Sequence, residues 1–168
     1  MMLSIWIRHQ FHICIMQVRR LILKAPRLQG QSSTSETKCV TLAVTVTVSG
    51  KLLMPFLIFK GQCNGCIAQR VFVTYPAAGK YTCQPKAWMD KALMNEWIDI
   101  VLMPWKASRD ANNPSLQPPI LVLDAYRVHQ MGSVVNRIQS MGIEVVHIPA
   151  GCTYLCQPID VGITNQSK

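Results

Sequence analysis

The chain has 168 residues, 49% of them apolar, and carries a formal net charge of +9 with a pI of about 9.4. That length and composition suffice for one domain with its own core and exclude wholesale disorder. The positive balance sets 17 Lys and Arg against only 8 Asp and Glu, a shortage of carboxylates that suits a polyanionic partner as well as a soluble domain with a mildly basic face.

The 7 cysteines, at positions 14, 39, 63, 66, 83, 152 and 156, are an odd set with no secretory leader ahead of them. Reduced thiols are the default, and a disulfide scaffold is not expected in a chain of this size. The opening residues, MMLSIWIRHQFHICIMQVRR, are apolar but broken by Arg8, His9, His12 and Arg19, so they read as neither a membrane span nor a signal peptide. No other stretch is long enough to cross a membrane. Residues 1–35 contain no Asp or Glu, which also fits a mitochondrial presequence, but a mis-started or decayed gene segment is the preferred reading, and residues 1–31 are left unassigned.

Residues 25–38 are polar with Gly and Pro and read as a loop. From Cys39 to Val48, Thr alternates with Val, Leu and Ala; β-branched residues at period two mark a strand. Ser49-Gly50-Lys51 turns the chain into a second strand, Leu52 to Phe59, where Pro55 points to an edge or a bulge. Gly61 to Ala68 reads as a loop, Val71 to Thr74 as a short strand, and Ala77 to Lys86 as another loop. Ala87 to Trp105 then has helical spacing, with Trp88, Leu93, Trp97, Val101 and Leu102 on one broad face and both tryptophans read as core anchors. Pro104 is expected to end or kink this helix, and the polar Lys106 to Pro118 to connect it to the next strand.

That strand, in PILVLDAYRVHQ, delivers Asp124 to its end. A polar turn with His129 follows, then an amphipathic stretch (Val134, Val135, Ile138, Met141), a strand from Glu144 to Ile148, and a second carboxylate at Asp160. Two acids at element ends suggest a divalent-metal site. Hard Mg²⁺ or Mn²⁺ needs carboxylate oxygens, and the alternative for each Asp is a helix or turn cap.

Leu123-Asp124, His129, Pro149, Gly151, Thr153, Gln157, Pro158, Asp160 and Gly162 stand in an order that resembles the DDE superfamily endonuclease domain of pogo, Tigger and Jerky transposases and centromere protein B relatives. STSETKCVTLAVTVTVSGKLLMPFLIFKG is similar to that family's hairpin, so the resemblance covers residues 32–168 as a partial domain. It implies an α/β fold, an RNase H-like mixed sheet with flanking helices, here incomplete. It makes Asp124 the second catalytic carboxylate and Asp160 the third, both ligands of Mg²⁺ or Mn²⁺, with His129 and Gln157 as accessory residues. It also implies DNA as partner, a nuclear location and ancestral metal-dependent strand cleavage or transfer.

The chain departs from the family at the first carboxylate. Its strand is expected near Trp6 to Ile13, yet no Asp or Glu occurs before Glu36, and His9-Gln10 matches only loosely. An impaired enzyme is therefore expected, with a non-enzymatic DNA-binding or protein-interaction module of the same fold as the alternative. A zinc-stabilised domain using Cys63, Cys66, Cys152 and Cys156 is a third reading, weakened by the x3 spacing of the second pair. The basic residues Lys51, Lys60, Arg70, Lys80, Lys86, Arg127 and Arg137 read either as phosphate contacts or as scattered surface charges.

Overall fold

The computed structural model describes residues 13–23, 38–112 and 117–149. Six strands form one sheet: β1 (Ile13–Leu23), β2 (Lys38–Thr47), β3 (Phe56–Lys60), β4 (Lys80–Gln84), β5 (Ile120–Leu123) and β6 (Glu144–His147), in the order β4-β3-β2-β1-β5-β6. The sheet is mixed: β1, β5 and β6 pair parallel, β2 and β3 pair antiparallel, and β4 pairs parallel to β3. Two compact units divide these elements, one of residues 18–43 and 55–89, the other built largely from 44–54 and 90–168 together with the start of the chain.

The smaller unit holds the first part of β2 with β3 and β4. Phe56 and Ile58 alternate inward along β3 and are fully buried, as the period-two pattern requires. Pro55 precedes β3 and does not mark an edge: β4 lies outboard, and Lys80 N–H donates to the Pro55 carbonyl at 2.9 Å. Two further readings are corrected here. Val71 to Thr74 is no strand, because Ile67–Val71 is a π-helical turn and Phe72–Thr74 a 3₁₀ turn. The loop read over Ala77 to Lys86 contains β4, whose Lys-Tyr-Thr-Cys-Gln sequence carries one apolar position facing inward, Cys83, and so shows little apolar alternation. Phe59, Phe72, Tyr75 and Tyr81 pack ring to ring beside these turns, with centroids 5.1–5.9 Å apart.

In the larger unit, Asp90 caps α1 (Lys91–Trp97), its carboxylate accepting from Leu93 N–H at 3.0 Å. The helical path then widens into a π-helical stretch, Ile98–Leu102, and continues as α2 (Met103–Asn112). Pro104 therefore does not end the helix. Met103 N–H bonds to the Ile98 carbonyl, five residues back, and this wider turn just ahead of the proline makes room where a regular helix would drive the ring into the preceding carbonyl. Much of the segment read as a connector, Lys106 to Asn112, is α2 itself.

Trp97, Ile98, Leu102, Leu121, Leu123, Val134 and Ile138 are all 0% exposed and make the core. Trp97 is the anchor expected of it. Trp88 is not: it precedes α1 and is 50% exposed. α3 (Gly132–Ser140) turns Val134 and Ile138 inward, and Gly142, at φ +73, reverses the chain into β6.

Candidate functional site

β5 buries Leu121 and Leu123 and ends there, so Asp124 is released at the carboxyl end of a parallel strand flanked by β1 and β6. Carboxyl ends of parallel strands are where α/β sheets place their reactive groups. The strand register sets Met16 of β1 beside Leu123 on one side and His147 of β6 on the other.

A 3₁₀ turn, Arg127–Gln130, brings His129 back under Asp124. The ring is 0% exposed, and its Nδ1 lies 2.7 Å from Asp124 Oδ1 and 3.3 Å from the Asp124 carbonyl oxygen. The shorter contact lacks hydrogen-bond alignment and counts as electrostatic proximity; the hydrogen bond is the longer one. Because a carbonyl can only accept, Nδ1 carries the proton. The same reasoning makes His147 Nε2 a donor to the His129 carbonyl, at 2.9 Å. Tyr126 meets the His129 ring edge-on at 5.6 Å. His129 is thus a buried brace held from β6 and in contact with Asp124, not a solvent-facing turn residue, and its Nε2 has no hydrogen-bond partner among the described residues.

The strand beside β5 reveals a position that the sequence pattern did not locate. Following Met16, which is buried level with Leu123, the next residue on β1 is Gln17, as Asp124 is the next after Leu123. Neither Met16 nor Gln17 is a carboxylate, and both stand later in the chain than the interval Trp6 to Ile13. The remaining sequence-predicted site residues, Gln157 and Asp160, lie outside the described residues, as do His9, Cys152 and Cys156.

Asp124 therefore supplies one hard oxygen donor, and among the described residues no cluster of three His, Cys, Asp or Glu could hold a metal. One carboxylate alone does not fit Mg²⁺ or Mn²⁺, which need several oxygen ligands. Cys63 and Cys66 are exposed free thiols, and Cys63 Sγ donates to the Cys83 carbonyl at 3.4 Å. Burial, then the neighbouring Cys63, pushes the Cys83 thiol up from its ordinary value.

Of the basic residues, Arg137 is committed within the fold: it donates to Asn95 Oδ1 at 2.9 Å and to Asp99 Oδ1 at 2.5 Å. Lys51, Lys60, Arg70, Lys86 and Arg127 are exposed. No helix among the described residues is long and apolar enough to cross a membrane.

The profile of the family described as DDE superfamily endonuclease matches residues 36–168. The chain belongs to that family. It is 30% identical over 128 residues to the human protein "Pogo transposable element with KRAB domain", and 28% identical over 128 residues to the mouse protein of that name. Each match covers 73% of this chain and 18% of the relative, so the chain spans less than a fifth of those proteins.

Among solved structures, it is similar to "Crystal structure of a pre-cleavage Mos1 transpososome", with a TM-score of 0.55, 16% identity, and coverage of 98% of this chain and 44% of that one. "Crystal structure of the Mos1 mariner paired end complex with Mn" matches with a TM-score of 0.53 and 17% identity over the same shares. At such identities the likeness establishes the fold, which is RNase H-like as the sequence pattern implied. The chain is therefore a DDE endonuclease-family domain similar in sequence to pogo-type proteins, with the fold seen in the Mos1 structures.

Proposed function

We propose that this domain binds DNA in the nucleus and descends from a metal-dependent strand-cleaving and strand-transferring enzyme whose chemistry it has lost. The observation that carries the proposal is the pair Met16 and Gln17 on the strand beside Asp124, in a chain with no Asp or Glu before Glu36. Two-metal phosphodiester chemistry needs carboxylates that hold two cations about 3.5–4 Å apart. A thioether in place of one of them removes the hard oxygens altogether, and an amide removes the negative charge and the second oxygen that lets a carboxylate bridge two cations.

Asp124 and Asp160 are the residues that would hold Mg²⁺ or Mn²⁺, and a bound metal would activate a water or a 3′-hydroxyl and stabilise the leaving oxygen. His129, protonated at Nδ1 and buried under Asp124, orients that carboxylate, and the family resemblance makes Gln157 an accessory residue. The DNA partner is supported by the family and by relatives whose solved complexes are described as a transpososome and a paired-end complex with a left transposon end. A non-enzymatic module of the same fold is the second reading, favoured by the tie between Asp124 and a fully buried imidazole, a contact that holds without a metal.

Isothermal titration of Mn²⁺ into the purified chain, in parallel with Asp124→Ala and Asp160→Ala, tests the proposal. The expected result is binding too weak to measure in all three, and no nicking of supercoiled DNA. Mn²⁺-dependent nicking that disappears in Asp124→Ala would overturn it.

A further inference from the structure

The loop that follows β4 is strained, fully bonded and ends on an exposed tryptophan. Ala87 is the non-glycine residue with positive φ, at +54, among the described residues, a left-handed conformation that a side chain disfavours. Three successive backbone N–H groups converge on Gln84: Lys86 and Trp88 donate to its side-chain Oε1 at 2.6 and 3.1 Å, and Ala87 donates to its carbonyl at 2.9 Å. Buried Thr41 closes the arrangement, its hydroxyl donating to the Ala87 carbonyl at 2.5 Å. Strain persists only where surroundings over-determine it, and such positions gather at sites of function.

What this loop fixes is the direction of one ring. Ala87 and Met89 are buried at 0% and 3%, while Trp88 between them is 50% exposed. Lys86 Nζ lies 5.5 Å from the centroid of that ring. An indole half in water forgoes the burial that makes tryptophan favourable in a fold, and a turn alone does not need one. The sequence around the ring indicates the occupant: from Thr37 through Met89 it contains no Asp or Glu, and Asp90 is engaged as the cap of α1, while Lys60, Arg70 and Lys80 join Lys86 in this stretch. An exposed aromatic face beside a cation, in an acid-free stretch, complements a base and the phosphate next to it.

We propose that Trp88 and Lys86 form a stacking platform for an unpaired base of single-stranded DNA, displayed by the strained loop after β4. The choice of DNA rests on the reading given above, but the platform requires neither Asp124 nor a metal. A duplex keeps its bases stacked on one another, so the platform discriminates in favour of single strands.

The test is fluorescence anisotropy of the whole chain in EDTA at low salt, with a labelled oligo(dT) of about 12 nucleotides and a labelled duplex of equal length. Trp88→Ala is expected to weaken single-strand binding about tenfold and leave duplex binding unchanged, with Trp88→Phe recovering most of the loss. Unaltered single-strand affinity in Trp88→Ala, or an equal loss on the duplex, would overturn the proposal and leave the ring to a protein partner. If Trp88→Ala does not fold, Lys86→Glu serves in its place: it is expected to weaken single-strand binding, and unchanged affinity counts against the platform. Because the buffer holds EDTA, the outcome is independent of the Mn²⁺ titration: no binding to either probe would sink the DNA reading itself, whereas duplex binding with single-strand affinity unaltered in Trp88→Ala would sink the platform alone.

Discussion

Asp124 and His129 form a close polar contact at the carboxyl end of β5. The carboxylate emerges from a strand whose neighbours are buried aliphatics, and its nearest polar group is an imidazole at 2.7 Å. On β1, Met16 pairs with Leu123 and Gln17 follows it, and neither is a carboxylate. If the proposed impairment has this cause, restoring the carboxylate should restore affinity for a hard cation. Gln17→Asp is therefore expected to bind Mn²⁺ at least tenfold more tightly than the parent chain, read by isothermal titration, and Asp124→Ala in that background to abolish the gain. A gain that survives Asp124→Ala would place the new ligand elsewhere. Trp97, fully buried in the core, gives the contrasting structural case: Trp97→Ala should cost about 3–5 kcal/mol in urea unfolding, enough to unfold a marginal domain.

At the scale of elements, α3 is fastened to α1 and the π-helical stretch by Arg137, which reaches Asn95 and Asp99 together. Both partners are partly solvated, so Arg137→Ala is expected to cost only about 1 kcal/mol, measured as a shift in the urea midpoint at constant slope. α2 carries a second charge cluster. The hydrogen bond from Lys106, and then that from Arg109, hold the Asp110 carboxyl below its usual range. A depressed carboxyl stabilises the fold above the unfolded-state pKa, and that contribution is lost as pH falls through the folded-state value. Wild type should therefore exceed Asp110→Asn in stability at pH 7 by a small margin, because Asp110 is 40% exposed, and the gap should close on acidification.

These elements also mark what the sequence could disclose. β2, β5 and α3 were legible because each buries a face at the period of its secondary structure, and β6 because its paired valines favour a strand. β4 was not, since a strand of Lys, Tyr, Thr, Cys and Gln with one inward apolar position looks like a loop. The π turn was hidden as well, for a proline reads as a stop unless the turn before it widens. Asp124 could be singled out from its motif, but the pairing of Met16 with Leu123 on the neighbouring strand could not, because strand register is a tertiary fact. Trp88 was misplaced for a related reason: helical spacing counts it with Trp97, whereas Asp90 starts the helix two residues after it.

For the whole molecule, charge is a property that does not depend on whether a metal site assembles. The net +9 is unevenly laid along the chain, since all acids but Glu36 lie at or beyond Asp90. Lys51, Lys60 and Arg70 are exposed within the acid-free stretch and are in no ion pair among the described residues. If they meet phosphates, each releases counterions on binding, and duplex affinity must fall with salt at a log–log slope of about 0.9 per contact. Replacing all three by Glu should lower the slope by about 3 and weaken binding at low salt more than at high salt, while leaving the urea midpoint nearly unchanged. Anisotropy on one duplex across a salt series measures both quantities at once. A slope that stays the same after the triple substitution would mean that phosphates are met by other residues, and that the acid-free stretch is a feature of composition without a role in binding duplex DNA.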